Sequence, residues 1–185
     1  MHSLIRNICI VSLLAVTAFA ASPETNSSES AMPDRDKMKD EAGQLLKMDF
    51  SIPLVGISDP GMLFSHFSNE NLLIYYFSPK CPHCQRHFPI FQKLIQQYKK
   101  DGFNGIGIAI GGSIKKNDIR LFAEHFHSAE PIFQDATRKF GRTYGTGYVP
   151  AAYLILKDGT IYRYGEINDD SIKNLRAKLD KLYAK

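Results

Sequence analysis

Six consecutive large apolar residues, Leu72-Leu73-Ile74-Tyr75-Tyr76-Phe77, leave an extended segment with no face for solvent. Successive side chains of a strand point to opposite sides, so a run without polar alternation must be covered above and below. The chain has to supply helices for both faces of a sheet. Ser78-Pro79-Lys80 breaks the run, and Phe88, Phe91, Leu94, Ile95 and Tyr98 then recur at three- and four-residue intervals. Gln92, Lys93, Gln96 and Lys99 fall between them, which is the pattern of a helix with one face turned to a core.

At the junction of strand and helix stands Cys81-Pro82-His83-Cys84. The first N–H groups of a helix lack intrahelical partners and its N-terminus carries about half a positive charge, which favours thiolate over thiol at Cys81. Cys84, one turn further in, is placed to attack a mixed disulfide formed at Cys81. Pro82 suits the first helical position, where its missing N–H costs nothing. His83 offers a ring N–H or a positive charge beside the sulfur, and Lys80 a further positive field. A CxxC pair can also be half of a zinc site, but the one other cysteine, Cys9, lies in a segment expected to be removed.

Residues 1–20 read as a cleaved secretory signal peptide: Arg6, an apolar stretch from Ile8 to Phe19, and Ala18-Phe19-Ala20 before the cut. An uncleaved leader acting as a membrane anchor is the alternative. The expected location is the periplasm or another secreted or envelope compartment, where disulfides persist. Removal of the leader leaves 22 Lys and Arg against 19 Asp and Glu, a net charge of +3, with no basic run interleaved with aromatics, so nucleic acid is not an expected partner. Two cysteines then remain, both in one tetrad. A bridge across so short a loop constrains the unfolded chain weakly, which favours a working redox couple over a structural staple.

Residues 21–48 are rich in Ser, Glu, Asp and Lys and read as a polar linker, with a short helix available from Asp34 to Met48 through Met38, Ala42, Leu45 and Leu46. Residues 49–185 are long enough for one domain with its own core. The expected elements are a strand over Phe50–Val55, a turn at Asp59-Pro60-Gly61, a short helix through Met62, Leu63 and Phe67, the buried strand and the cysteine helix. Next come a strand over Ile106–Ile110, a helix capped by Asn117, a short strand at Pro131-Ile132-Phe133 and a short helix over Arg138–Tyr144. Ala151–Leu156 and Thr160–Tyr164 flank Asp158-Gly159 as a hairpin, and Asp169 or Asp170 caps a last helix through Ile172, Leu175, Leu179 and Leu182. The predicted class is α/β, a central mixed β-sheet flanked by helices on both faces.

A buried strand ending in CxxC, Pro89 five residues past the second cysteine, and Val149-Pro150 opening a strand-hairpin-helix ending together resemble the thioredoxin superfamily over nearly all of residues 50–183. The resemblance implies a thioredoxin-like fold, a cis-proline at Pro150 facing the cysteines, and a backbone at Val149 and Pro150 that pairs with a bound substrate strand. The tetrad is similar to that of the disulfide oxidase family DsbA. Only 65 residues separate Cys84 from Pro150, however, too few for that family's inserted helical domain, and the remainder looks like the TlpA and DsbE group, which mostly reduces disulfides. The implied redox directions are opposite. Thioredoxins carry a buried acid six residues before the first cysteine, where this chain has Tyr75; the TlpA group often carries Glu where this chain has His87.

The expected function is a cell-envelope thiol–disulfide oxidoreductase, with Cys81, Pro82, His83 and Cys84 as its catalytic tetrad and Val149 and Pro150 as its substrate contact. It needs no cofactor. Its partners are substrate proteins bearing thiols or disulfides and a membrane redox partner that resets the couple. The alternatives are a copper(I)-binding protein using both thiolates with His83 or His87, and a thiol peroxidase. His125 and His127 lie two residues apart on a predicted helix and point to different sides. Gly105, Gly107, Gly111 and Gly112 are read as occupying a strand rather than the turn after it, where a dinucleotide loop would lie, and are expected to serve close packing against a helix. Tyr148 adjoins the substrate edge, where packing and recognition are both open to it.

Overall fold

The computed structural model describes residues 37–39, 45–57 and 60–183. The described residues belong to one compact unit within residues 33–185; residues 1–32, and with them the expected signal peptide, lie outside the described residues.

Seven strands form one mixed sheet: β1 Pro53–Gly56, β2 Met62–Leu63, β3 Leu72–Phe77, β4 Asn104–Ile110, β5 Ile132–Asp135, β6 Ala151–Ile155 and β7 Ile161–Tyr164, in the order β2-β1-β5-β4-β3-β6-β7. β3, β4 and β5 run parallel, and the remaining pairings are antiparallel. Four helices, α1 Pro82–Tyr98, α2 Lys116–His125, α3 Lys139–Tyr144 and α4 Asp169–Tyr183, complete the fold. This is the α/β arrangement that the unbroken apolar run demanded.

β3 divides its side chains between two cores. Leu73, Tyr75 and Phe77 join Phe88, Phe91 and Ile95 of α1, Phe122 of α2 and Leu175 and Leu179 of α4. Leu72, Ile74 and Tyr76 join Phe140 and Tyr144 of α3 and Phe64 on the other side. None of the six is more than 7% exposed, and each such side chain stabilises the fold by roughly 1.5–3 kcal/mol. The first core is an aromatic stack in which Phe77 meets Phe122 at 4.5 Å between ring centroids and Tyr75 meets Phe91 at 4.9 Å. Close approach of α1 to β4 depends on Gly105, where a Cβ would collide with Ile95.

Several local expectations are corrected. The helix expected through Met62, Leu63 and Phe67 begins instead as β2, paired back on β1 through Leu54 opposite Met62, and only Phe64–Phe67 coil, as a 3-10 turn. Gly61, at φ +90°, allows that reversal, and a side chain there would strike the Leu54 carbonyl. The cap of α2 lies two residues before the one expected at Asn117. Lys115 is its N-cap residue, and the Lys115 N–H donates to the Asp118 carboxylate at 3.1 Å. Asn168, not Asp169 or Asp170, caps α4, its Oδ1 accepting from Ser171 N–H while the Ser171 hydroxyl accepts from Asn168 N–H, both at 2.9 Å.

The helix available to residues 34–48 does not form in its described part. Met38 N–H donates to the Ile161 carbonyl at 3.0 Å, Met48 N–H to the Gly159 carbonyl at 2.9 Å and Leu46 N–H to the Met38 carbonyl at 2.9 Å, so residues 37–39 pair with β7, residues 47–48 with the turn that precedes it, and the two pieces with each other. Met38 and Met48 are buried, and the Lys47 ammonium reaches the Asp158 carboxylate at 3.0 Å and the Thr160 hydroxyl at 2.8 Å.

Candidate active site

β3 delivers the chain to the carboxyl end of the sheet, and Ser78, Pro79 and Lys80 turn it into α1. The turn is held by Cys81 N–H donating to the Ser78 carbonyl at 3.1 Å and the Gln85 side-chain amide donating to the Pro79 carbonyl at 2.8 Å. Cys81 is the N-cap residue of α1, in extended conformation, and Pro82 is the first helical residue. The Cys81 sulfur accepts from Cys84 N–H at 3.4 Å, so one of the orphan donors of the helix start is spent on a thiol.

The two cysteines differ sharply in surroundings. Cys81 is partly exposed and Cys84 is fully buried. Burial pushes the Cys84 thiol well above its ordinary value, opposed by a backbone hydrogen bond from Ser78 that favours the anion. Below the thiols lies Tyr75, whose hydroxyl donates to the Cys84 carbonyl at 2.8 Å. Burial first, then the negative charge the two thiols would carry, holds this phenol un-ionised far above its usual range. The position that bears an acid in thioredoxins is therefore filled here by a neutral donor.

His83 and His87 lie one turn apart on the outer side of α1, ring centroids 4.3 Å apart, and His87 Nδ1 is 2.9 Å from the His83 carbonyl. His87 also borders a small apolar cleft with Tyr75, Phe91 and Ile172. Lys80 has a partner on another helix. Its ammonium is 3.0 Å from the Asp118 carboxylate on α2, which turns the charge toward that helix and holds the Asp118 carboxyl below its ordinary range. No local signal pairs residues 38 positions apart. Sequence reasoning also missed the Tyr75 hydroxyl as a donor; a hydroxyl inside an otherwise apolar strand was the available clue.

Across from the tetrad, the Val149–Pro150 peptide is cis. Tyr76 of β3 pairs with Ala151 of β6, so the Val149–Pro150 segment continues β6 alongside the end of β3, where the cysteine turn begins. Cys81 and Val149 pack against the same core, and Val149 makes no backbone hydrogen bond among the described residues. Tyr148 is 78% exposed, the most exposed of the large apolar side chains described. Among the described residues no group of three or more His, Cys, Asp or Glu could hold a metal ion, and no helix is long and apolar enough to cross a membrane.

A mixed sheet with helices on both faces, a cysteine pair at the first turn of its longest helix and a cis-proline at the adjoining strand define a thioredoxin-like protein. Residues 49–164 match the AhpC/TSA family, and the chain belongs to it. Curated relatives include the thiol-disulfide oxidoreductase ResA of Geobacillus thermodenitrificans, 26% identical over 109 residues, 58% of this chain and 62% of that protein. The ResA of Bacillus anthracis is 23% identical over 130 residues, 69% of this chain and 70% of that protein. This chain thus spans about three fifths of the first relative and somewhat more of the second. The same fold occurs in a thiol:disulfide interchange protein DsbE from Chlorobium tepidum (TM-score 0.66, 18% identity, 76% of this chain and all of that one). It occurs also in a secreted Mycobacterium tuberculosis disulfide oxidoreductase homologous to Escherichia coli DsbE (TM-score 0.60, 15% identity, 70% of this chain and 96% of that one).

Proposed function

We propose that this protein is a cell-envelope thiol–disulfide oxidoreductase that exchanges disulfides with substrate proteins through Cys81 and Cys84. In the reducing direction the Cys81 thiolate attacks one sulfur of a substrate disulfide, the other substrate sulfur leaves as thiolate, and a mixed disulfide forms. Cys84 then loses its proton and attacks the Cys81 sulfur, releasing the second substrate thiolate; the substrate gains two electrons and the Cys81–Cys84 pair loses them. Oxidation of a dithiol runs through the same intermediate in reverse. A membrane redox partner resets the couple.

The observation that carries this reading is the contrast between the cysteines: one partly exposed with a backbone N–H at its sulfur, the other fully buried behind it. His83 at the helix mouth and Pro82 at its first position complete the tetrad, and Val149 and Pro150 supply the edge along which a substrate strand would lie. ResA is the name borne by the curated relatives, which supports the reaction class. The proposed organisation is a removed leader over residues 1–20, a polar linker over 21–48 and the redox domain over 49–185, whose start coincides with that of the family match.

Trapping tests the roles. Cys84→Ala should accumulate substrate proteins on Cys81 as stable mixed disulfides and Cys81→Ala should accumulate none; equal trapping by the two variants would overturn the assignment. The reduction potential, measured with the redox state in cells, fixes the direction.

A further inference from the structure

A groove of about 310 Å³ runs from Val149 past Tyr148 to the exposed side of α3, where Arg138 and Arg142 stand one helical turn apart. The space is built. A side chain at Gly112 would collide with the Arg138 guanidinium, and one at Gly141 with the Tyr76 hydroxyl. Arg142 is steadied by donating from Nη2 to the Thr137 carbonyl at 2.7 Å.

The charges here are not balanced. Among the described residues neither arginine takes part in an ion pair, whereas Lys139 between them is matched by Asp49 at 3.2 Å. The nearby acid, Asp135, is 6% exposed and its carboxylate accepts from the Tyr76 hydroxyl and from Phe140 and Gly141 N–H at 2.8–3.2 Å, so it is committed to the interior. Two guanidiniums thus face a groove that opens beside the backbone proposed to hold the substrate strand.

We infer that this groove selects substrate segments carrying a carboxylate side chain beside the reacting cysteine, with Tyr148 as an aromatic shelf for the intervening residue. The inference rests on the redox reading and names its preferred substrate. Arginine presents a planar fork matched to a carboxylate, and charges of opposite sign across an encounter surface raise association rates in a salt-dependent way.

The test uses the reduced full-length protein and two synthetic peptides, each with one cysteine joined through a disulfide to thionitrobenzoate, one with Glu and the other with Gln at the flanking positions. Attack by Cys81 on the peptide sulfur expels coloured thionitrobenzoate, which gives the rate. The Glu peptide should react roughly three- to tenfold faster at low salt, as expected for two partly exposed ion pairs, and the advantage should shrink in high salt. Arg138→Gln with Arg142→Gln should bring the ratio of the two rates to about one, while Arg142→Lys should keep most of it. A ratio near one in the native protein, or one that survives the double substitution, would overturn the inference and leave the redox reading standing. Release from neither peptide would overturn both.

Discussion

The hydroxyl of Tyr75 donates to the carbonyl oxygen of Cys84 at 2.8 Å, tying the buried strand to the turn of helix that carries the inner thiol. Tyr75→Phe keeps the ring among Phe77, Phe88 and Phe91 and removes only this bond. Loss of a single buried hydrogen bond should cost about 0.5–1.5 kcal/mol in urea unfolding of the reduced protein. A variant as stable as the native protein would show that the bond contributes nothing.

The unequal burial of the two thiols sets their reactivity. Under native conditions near neutral pH, iodoacetamide should modify Cys81 at least about tenfold faster than Cys84, whose thiol burial keeps protonated. Peptide mapping by mass spectrometry reads the ratio, and equal modification would contradict the site as described.

His83 is held at the mouth of α1 by the ring of His87. A ring N–H or charge there favours the reduced, thiolate form, so His83→Ala should lower the reduction potential, by about 30 mV if the interaction is worth 1.4 kcal/mol. His87→Ala should give a smaller shift of the same sign. An unchanged or higher potential for the first variant would count against this role.

Alkali should unfold the protein through its buried phenols. Burial raises Tyr153 to about 12 and Tyr75 beyond the accessible range, while both titrate near 10 when unfolded. The folded state then binds more protons than the unfolded one above pH 10, so stability is complete below that pH and falls as pH rises through it. The slope should be about 1.4 kcal/mol per pH unit for each such tyrosine. Phenolate absorbance should appear together with unfolding; ionisation of these residues in a still-folded protein would refute the claim.

What could be read from the chain was what repeats over short distances. The two-residue alternation of Leu72–Phe77 placed three side chains in each core, and the stripe from Phe88 to Tyr98 oriented α1 against one of them. The cysteine turn was legible because strand, break and helix are contiguous. The pairing of Lys80 was not legible because its partner, Asp118, is distant in sequence. The pairing around Met38 and Met48 was not legible because it rests chiefly on main-chain hydrogen bonds, which side-chain composition does not encode. Asn168 and Asp169 are equally good caps by type, and the reciprocal bond with Ser171 decided between them.

Residues 37–39 and 45–48 also matter for how such a molecule survives its surroundings. A bare strand edge is a template onto which other chains can zip. By pairing with Gly159, Thr160, Ile161 and Tyr162, these residues occupy a rim that would otherwise lie open to another chain, so cutting them away should promote clumping without touching either sulfur.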